Sequence, residues 1–189
     1  MNFEMASLRF VSPQDQSMIL DWRNSEAVAP YMLRDTPIST EEHQNWFEQV
    51  LLDSDFAVFR IMEHEGVYCG LVSISNINNK ERSADWGGYL APDAPRGSGL
   101  GKALMYLSVE VAFNQLDLSR ILVEVIVGNT AAIGLYESIG FIRVQTIVNR
   151  AEQKQGFVDV IQMSLDQDDW NRRRGKVKQQ LVANNLLRG

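Results

Sequence analysis

The sequence predicts a single α/β domain built on one mixed sheet, and three observations carry that reading. A chain of 189 residues is long enough for one domain with a full core and short for two. Its 45% hydrophobic and 22% charged residues are those of an ordinary globular protein. The apolar residues alternate between helical and strand spacing in the order two helices, three strands, helix, strand, helix, two strands, which a mixed sheet with packed helices accommodates.

The first helix opens at Ser12-Pro13-Gln14-Asp15, a capping serine followed by proline at the first helical position, and runs to Asn24. The second opens at Ser39-Thr40-Glu41-Glu42 with capping-box spacing and places Trp46, Phe47, Val50 and Leu51 on one face. Strands are expected over Phe56–Met62 and Val67–Asn76, joined by the turn His64-Glu65-Gly66, and over Trp86–Ala91 before Pro92. From Gly99 a helix presents Leu100, Ala103, Leu104, Leu107 and Val111 at i, i+3, i+4 spacing. Arg120–Val127 alternates as a strand, and Thr130–Ile139 is a short helix stopped by Gly140. Phe141–Asn149 and Phe157–Leu165 form a closing hairpin, and the tail from Asp166 to Gly189 reads as helical.

Bulk properties exclude several function classes. No apolar run approaches the ~20 residues of a membrane span, and the start MNFEMASLRF lacks the basic and apolar regions of a leader, so a cytoplasmic protein is expected. A net charge of −6 argues against nucleic acid, whose backbone demands a basic face. The basic cluster from Asn171 to Lys178 reads as a solvated helix face, with a contact to an anionic partner as the alternative. Cys69 is the sole cysteine and sits in the apolar run VYCGLV, which makes it a core residue. The two histidines, His43 and His64, do not have the spacing of a metal site, and no metal is expected. The oligomeric state is left open, a homodimer included.

The chemistry concentrates in Ala94-Pro-Arg96-Gly97-Ser98-Gly99-Leu100-Gly101-Lys102-Ala103-Leu104, a glycine-rich loop entering a helix. A nucleotide-hydrolase loop needs G-x-x-x-x-G-K-[ST]; here the spacing is one residue short and Ala103 replaces the hydroxyl. A dinucleotide fingerprint needs a third glycine where Lys102 stands. What survives is the physics of a helix start: N–H groups converge, the dipole favours an anion, and glycines let a bulky pyrophosphate approach. Arg96 adds a positive charge at the rim.

Arg96-Gly-Ser-Gly-Leu-Gly101 also resembles the R/Q-x-x-G-x-G/A signature of the GCN5-related N-acetyltransferases. About 30 residues on, Asn129-Thr-Ala-Ala132-Ile-Gly-Leu-Tyr136-Glu-Ser-Ile-Gly140-Phe141 is similar to that family's second segment, N-x-x-A-x-x-x-Y-x-x-x-G-F. The resemblance covers residues 8 to 165 and implies the acyltransferase fold over 1–165, followed by a C-terminal helical tail over 166–189. It implies acetyl-CoA as co-substrate, its pyrophosphate on Arg96, Gly97, Ser98, Gly99, Leu100, Gly101 and Lys102. Asn129, Ala132 and the strand end Tyr89, Leu90 and Ala91 would meet the pantetheine arm. It implies direct attack by an amine on the thioester, with Tyr136 as general acid to the departing sulfur. For the base, Glu124 stands mid-strand among Leu122, Val123, Val125 and Ile126, where a carboxylate is costly unless functional or paired. A structural ion pair is the competing explanation. Ser73, facing the acceptor or ordering a water, is a further candidate.

Outside the coenzyme motifs, Leu20-Asp-Trp-Arg23-Asn24, Tyr31-Met32, Ile38 to Trp46 and Glu65 to Asn78 resemble one subgroup. Its members acetylate the 4-amino group of a UDP-linked 4-amino-4,6-dideoxy sugar in pseudaminic acid biosynthesis, which supplies flagellin glycosylation. The resemblance implies Met32, Trp46 and Tyr89 on the sugar's apolar edge, and Arg23, His43, Ser75 and Asn76 on the nucleotide and its diphosphate. Leu33 departs from the tyrosine common there. Trp-Arg-Asn also occurs in relatives that acetylate protein N-termini or polyamines, and the acidic charge suits a polyamine as well.

Overall fold

A computed structural model describes residues 5–52 and 57–189. Seven strands form one sheet in the order β1-β2-β3-β4-β5-β7-β6. They are β1 (Ser7–Phe10), β2 (Ala57–His64), β3 (Val67–Asn78), β4 (Ser83–Leu90), β5 (Arg120–Ile126), β6 (Ile142–Gln153) and β7 (Gly156–Asp166). The helices are α1 (Gln16–Asn24), α2 (Thr40–Leu52), α3 (Leu100–Glu110), α4 (Thr130–Ile139) and α5 (Gln167–Ala183). The expected mixed α/β architecture is therefore present. Phe56, the expected first residue of the second strand, lies outside the described residues.

Some expected ends shift: the strand expected over Trp86–Ala91 spans Ser83–Leu90, and the tail helix stops at Ala183 short of Gly189. Two further features were not anticipated. β1 is four residues long and carries no clean alternation, so no local signal marks it. It is held by antiparallel pairing with β2, Ser7 opposite Glu63, and by Arg9, whose Nη1 and Nη2 donate to the Asp15 carboxylate at 2.8 and 2.7 Å. The helix expected to run through Val111 ends as an α-helix at Glu110 and continues as one wider π turn, Val111–Gln115.

The sheet has helices on both faces, and adjacent strand residues show it. Ile61 and Leu71 pack with Ile19 of α1 and Phe47 of α2. Their neighbours Met62 and Val72 belong to the larger cluster holding α3, α4 and α5. Successive side chains point to opposite faces, so α1 and α2 cover one face and α3, α4 and α5 the other.

One discontinuity positions everything that follows. All neighbouring strands are antiparallel except β4 and β5, which pair in parallel only over Ser83–Asp85 with Arg120–Leu122. β4 continues to Leu90 and β5 to Ile126 without pairing to each other. The sheet splits there, and a helix start, α3, follows the free end of β4.

Among the described residues, no helix is long and apolar enough to cross a membrane.

Candidate active site

The split in the sheet opens into a cleft of about 1280 Å³, lined on one side by Trp86–Leu90 of β4 and on the other by Val123–Val125 of β5. Strands that stop pairing leave backbone N–H and C=O groups facing the gap, and a ligand's polar groups can satisfy them.

The glycine loop forms one end of this cleft. Gly97 (φ 76°) and Gly99 (φ 91°) both adopt the left-handed conformation that only glycine takes without strain. Gly99 caps α3, and the first helical bond runs from Ala103 N–H to the Gly99 carbonyl at 3.0 Å. The N–H groups ahead of Ala103 lie at an open helix start, where an anion is favoured. Arg96, Gly97, Gly99, Leu100, Gly101 and Lys102 all line the cleft. Two expected contacts are not at the cleft wall. Ser98 is exposed, its hydroxyl donating to the Pro95 carbonyl at 2.7 Å. Ala91 is buried; its N–H donates to Cys69 O at 3.0 Å, and its carbonyl accepts from Ala94 N–H at 3.1 Å and from Arg96 Nη1 at 3.1 Å. Both of its backbone polar groups are therefore spent on holding the loop against the sheet. Arg96 braces the loop in the same way, with a second donation to the Ala94 carbonyl at 3.3 Å.

Local sequence explains how Tyr136 is aimed. Asn129 caps α4, its Oδ1 accepting from Ala132 N–H at 3.1 Å, which leaves its amide N–H₂ to donate into the cleft it lines. At the other end Phe141 N–H reaches back to the Tyr136 carbonyl at 3.0 Å and Gly140 N–H to Glu137 O at 3.1 Å, with Gly140 at φ 122°. This is the Schellman closure, which brings its flanking apolar pair together. Here that pair is Tyr136 and Phe141, ring centroids 5.7 Å apart. Trp86 meets the tyrosine edge-on at 5.8 Å and is itself held by Nε1 donating to Ser108 Oγ at 2.8 Å. Burial pushes the Tyr136 phenol well above its ordinary value, so the ring carries its proton at neutral pH. Thr130, Ala131, Ala132, Leu135 and Tyr136 form the wall of the cleft contributed by α4.

The residues expected to meet the acceptor, scattered from 23 to 89 in sequence, converge on the other end. Arg23, Met32, His43, Trp46, Ser73, Ser75, Asn76 and Tyr89 all line the same cleft. His43 is 2% exposed; its Nε2 is 2.9 Å from the Gln16 carbonyl, and burial lowers its pKa, so it is a neutral ring behind Trp46, 5.2 Å away. Asn76 donates to Asp85 at 2.7 Å, and Ser73 Oγ donates weakly to the Gly87 carbonyl at 3.4 Å. Leu33, where the subgroup carries tyrosine, packs against Ile126, Ala151 and Val160. Burial raises the Tyr89 phenol, an effect the neighbouring Arg23 cation opposes. Arg23 donates one nitrogen to the Arg34 carbonyl. Its Nη1 is buried with no hydrogen-bond partner among the described residues.

Glu124 faces the cleft between the two ends. Arg150 Nε approaches Glu124 Oε2 at 3.2 Å, an ion pair that lacks hydrogen-bond alignment and leaves that oxygen without a formal partner. Arg150 also lines the cleft, and sequence reasoning missed it because the hairpin strand was expected to end at Asn149. The strand runs on to Gln153. Cys69, by contrast, is buried away from the cleft, its thiol pushed up to about 11 by burial, so it supplies no thiolate nucleophile. Among the described residues no group of three or more His, Cys, Asp or Glu could hold a metal ion.

Comparison with known proteins agrees with this geometry. A model of the acetyltransferase (GNAT) domain matches residues 7–142. The chain is 25% identical over 164 residues to spermidine N(1)-acetyltransferase of Vibrio cholerae, covering 87% of this chain and 94% of that one. It is 27% identical over 131 residues to acetyltransferase PseH of Campylobacter jejuni, covering 69% and 79%. The crystal structure of the Vibrio cholerae spermidine N-acetyltransferase with CoA and spermine superposes with a TM-score of 0.82 at 24% identity, covering 88% of this chain and 98% of that one, a likeness of fold. A split sheet, a glycine loop at a helix start and a capped tyrosine on the facing helix thus meet in a chain that belongs to the GNAT family of acetyl-CoA-using N-acetyltransferases.

Proposed function

We propose that the acceptor is the amine of a UDP-linked amino-dideoxy sugar, as in the pseudaminic acid pathway. The observation that carries this reading is Arg23, whose Nη1 lies buried in the acceptor end with no partner among the described residues. A buried, unpaired guanidinium nitrogen is costly, and a diphosphate oxygen is the group that best relieves it. The carboxylates give the complementary argument. Glu42, Asp85 and Glu124 are the described carboxylates lining the cleft. Two of them are engaged, Glu42 with Arg34 at 2.9 Å and Asp85 with Asn76 at 2.7 Å, while Glu124 faces Arg150 at 3.2 Å without hydrogen-bond alignment. A polycation needs several carboxylates left over, and this leaves one. The second reading, a polyamine, is favoured by the longer alignment with the spermidine enzyme.

Bound acetyl-CoA supplies the activated acetyl group. The loop from Arg96 to Lys102 holds its phosphates, and the unpaired edges of β4 and β5 orient it, so attack becomes effectively unimolecular. Glu124, directly or through a water, takes the proton that the amine loses. Tyr136 donates to the sulfur that leaves. Ser73 touches the acceptor or orders that water.

The experiment is a measurement of CoA release with the UDP-linked aminosugar, spermidine and an N-terminal peptide. Turnover is expected with the nucleotide sugar; turnover with spermidine alone rejects the assignment. Arg23→Met should raise the KM for the nucleotide sugar about tenfold or more while leaving the KM for acetyl-CoA unchanged. Glu124→Gln should lower kcat about 100-fold, the ordinary contribution of a general base. An unchanged kcat would leave Glu124 only as the ion-pair partner of Arg150.

A further inference from the structure

We propose that the turn closing the C-terminal helix supports the coenzyme loop, with Leu186, just past α5, as a positioning residue for the loop Arg96–Gly101. The family match ends at residue 142, so this segment lies outside it. The inference rests on the use of acetyl-CoA and is independent of which acceptor is correct.

The helix end is built to aim Leu186. Leu186 N–H bonds to the Leu181 carbonyl at 2.9 Å and Asn185 N–H to the Val182 carbonyl at 3.0 Å, with Asn185 at φ 58°. That is a Schellman closure with asparagine in the left-handed position, and it presses its flanking leucines, 181 and 186, into the core. Both are buried, at 1% and 4% exposure. The carbonyl of Leu186 accepts from Ala6 N–H at 3.0 Å, fixing the segment to the start of the chain.

Leu186 then lies directly under the loop. A Cβ placed on Gly99 would stand 2.9 Å from Leu186 Cδ1 and 3.9 Å from Asn184 Nδ2. No space remains between the leucine and the capping glycine of α3. One turn further, Lys102 Nζ donates to Gln180 Oε1 at 3.2 Å, a second tie from the loop's helix to α5. The loop contains three glycines within five residues, and glycine loses more freedom on ordering than any other residue. A rigid apolar floor under Gly99 limits the conformations the loop must give up when it closes around a pyrophosphate. Preorganisation of this kind appears as affinity for the donor, with no effect on the acceptor.

The test is direct titration of the full chain with acetyl-CoA by calorimetry, which needs no acceptor. Leu186→Ala should bind about tenfold more weakly, equivalent to about 1.4 kcal/mol, and Leu186→Met, which refills the space, should restore the affinity. In steady state the KM for acetyl-CoA should rise while kcat and the acceptor KM hold. Val177→Ala is the control: Val177 is buried on α5 but is not among the groups meeting Gly99. It should lower the melting temperature without changing affinity. A folded Leu186→Ala protein with unchanged affinity, or equal weakening by Val177→Ala, overturns the proposal. Should Leu186→Ala not fold, Leu186→Val gives the same readout at smaller amplitude.

Discussion

Replacing Tyr136 by phenylalanine is expected to lower kcat about 100-fold or more while acetyl-CoA binds nearly as before. The expectation follows from what the substitution removes. Phenylalanine keeps the contacts with Trp86 and Phe141, centroids 5.8 and 5.7 Å away, so the α4 wall and the cleft shape persist. Only the hydroxyl is lost. The phenol carries its proton at neutral pH, and burial raises its pKa further, so in the proposed reaction it is a donor to charge developing on a leaving sulfur. A donor of this kind acts mainly in the transition state, so its loss should appear in kcat and kcat/KM together. Single-turnover kinetics beside acetyl-CoA titration separate the two quantities. Wild-type kcat in the variant would remove Tyr136 from the chemistry and leave it a packing residue of α4.

The largest effect on stability should come from Trp170→Ala. Trp170 is fully buried, its ring 5.4 Å from Tyr106, and its Nε1 donates to Glu110 Oε1 at 2.6 Å. Truncating a buried tryptophan costs about 3–5 kcal/mol in transfer and cavity terms. The Glu110 oxygen also loses its donor, with Arg174 remaining near its other oxygen at 3.5 Å. For a chain of this size the melting temperature should fall by about 10 °C or more. Urea titration and calorimetry measure it. A loss below about 1 kcal/mol, the scale of a surface change, would mean that α5 is only loosely attached to α3.

Much of the cleft around the glycine loop and α4 is legible in local sequence because its physics is local. The left-handed glycines, the Asn129 cap and the closure from Tyr136 through Gly140 to Phe141 each involve residues within six positions of one another. Spacing therefore reports them. Ser98 and Ala91 do not line the cleft: the Ser98 hydroxyl donates to the Pro95 carbonyl, and both Ala91 backbone groups bond within the fold, to Cys69, Ala94 and Arg96. A motif names the residues that build a loop, and only some of those line the cleft.

β1 shows the opposite limit. Its four residues have no pattern of their own, and pairing with β2 and the Arg9–Asp15 ion pair make them a strand. Arg150 was invisible for a related reason. It acquires meaning only because β6 extends past the expected turn and brings it 3.2 Å from Glu124, 26 positions away in sequence.

By itself, the sequence determined the class of fold, the helix and strand order after β1, the glycine loop and the capped tyrosine on α4. Each is written in a period, a cap or a glycine spacing that adjacent residues suffice to impose. The tertiary structure alone decided that β4 and β5 part after Asp85 and Leu122, and that Arg23, Met32, His43 and Trp46 meet in the cleft so formed. It also decided that Leu186 closes the space under Gly99. These contacts join segments tens of residues apart. Their geometry is set by how helices pack on a twisted, split sheet, which no local pattern encodes.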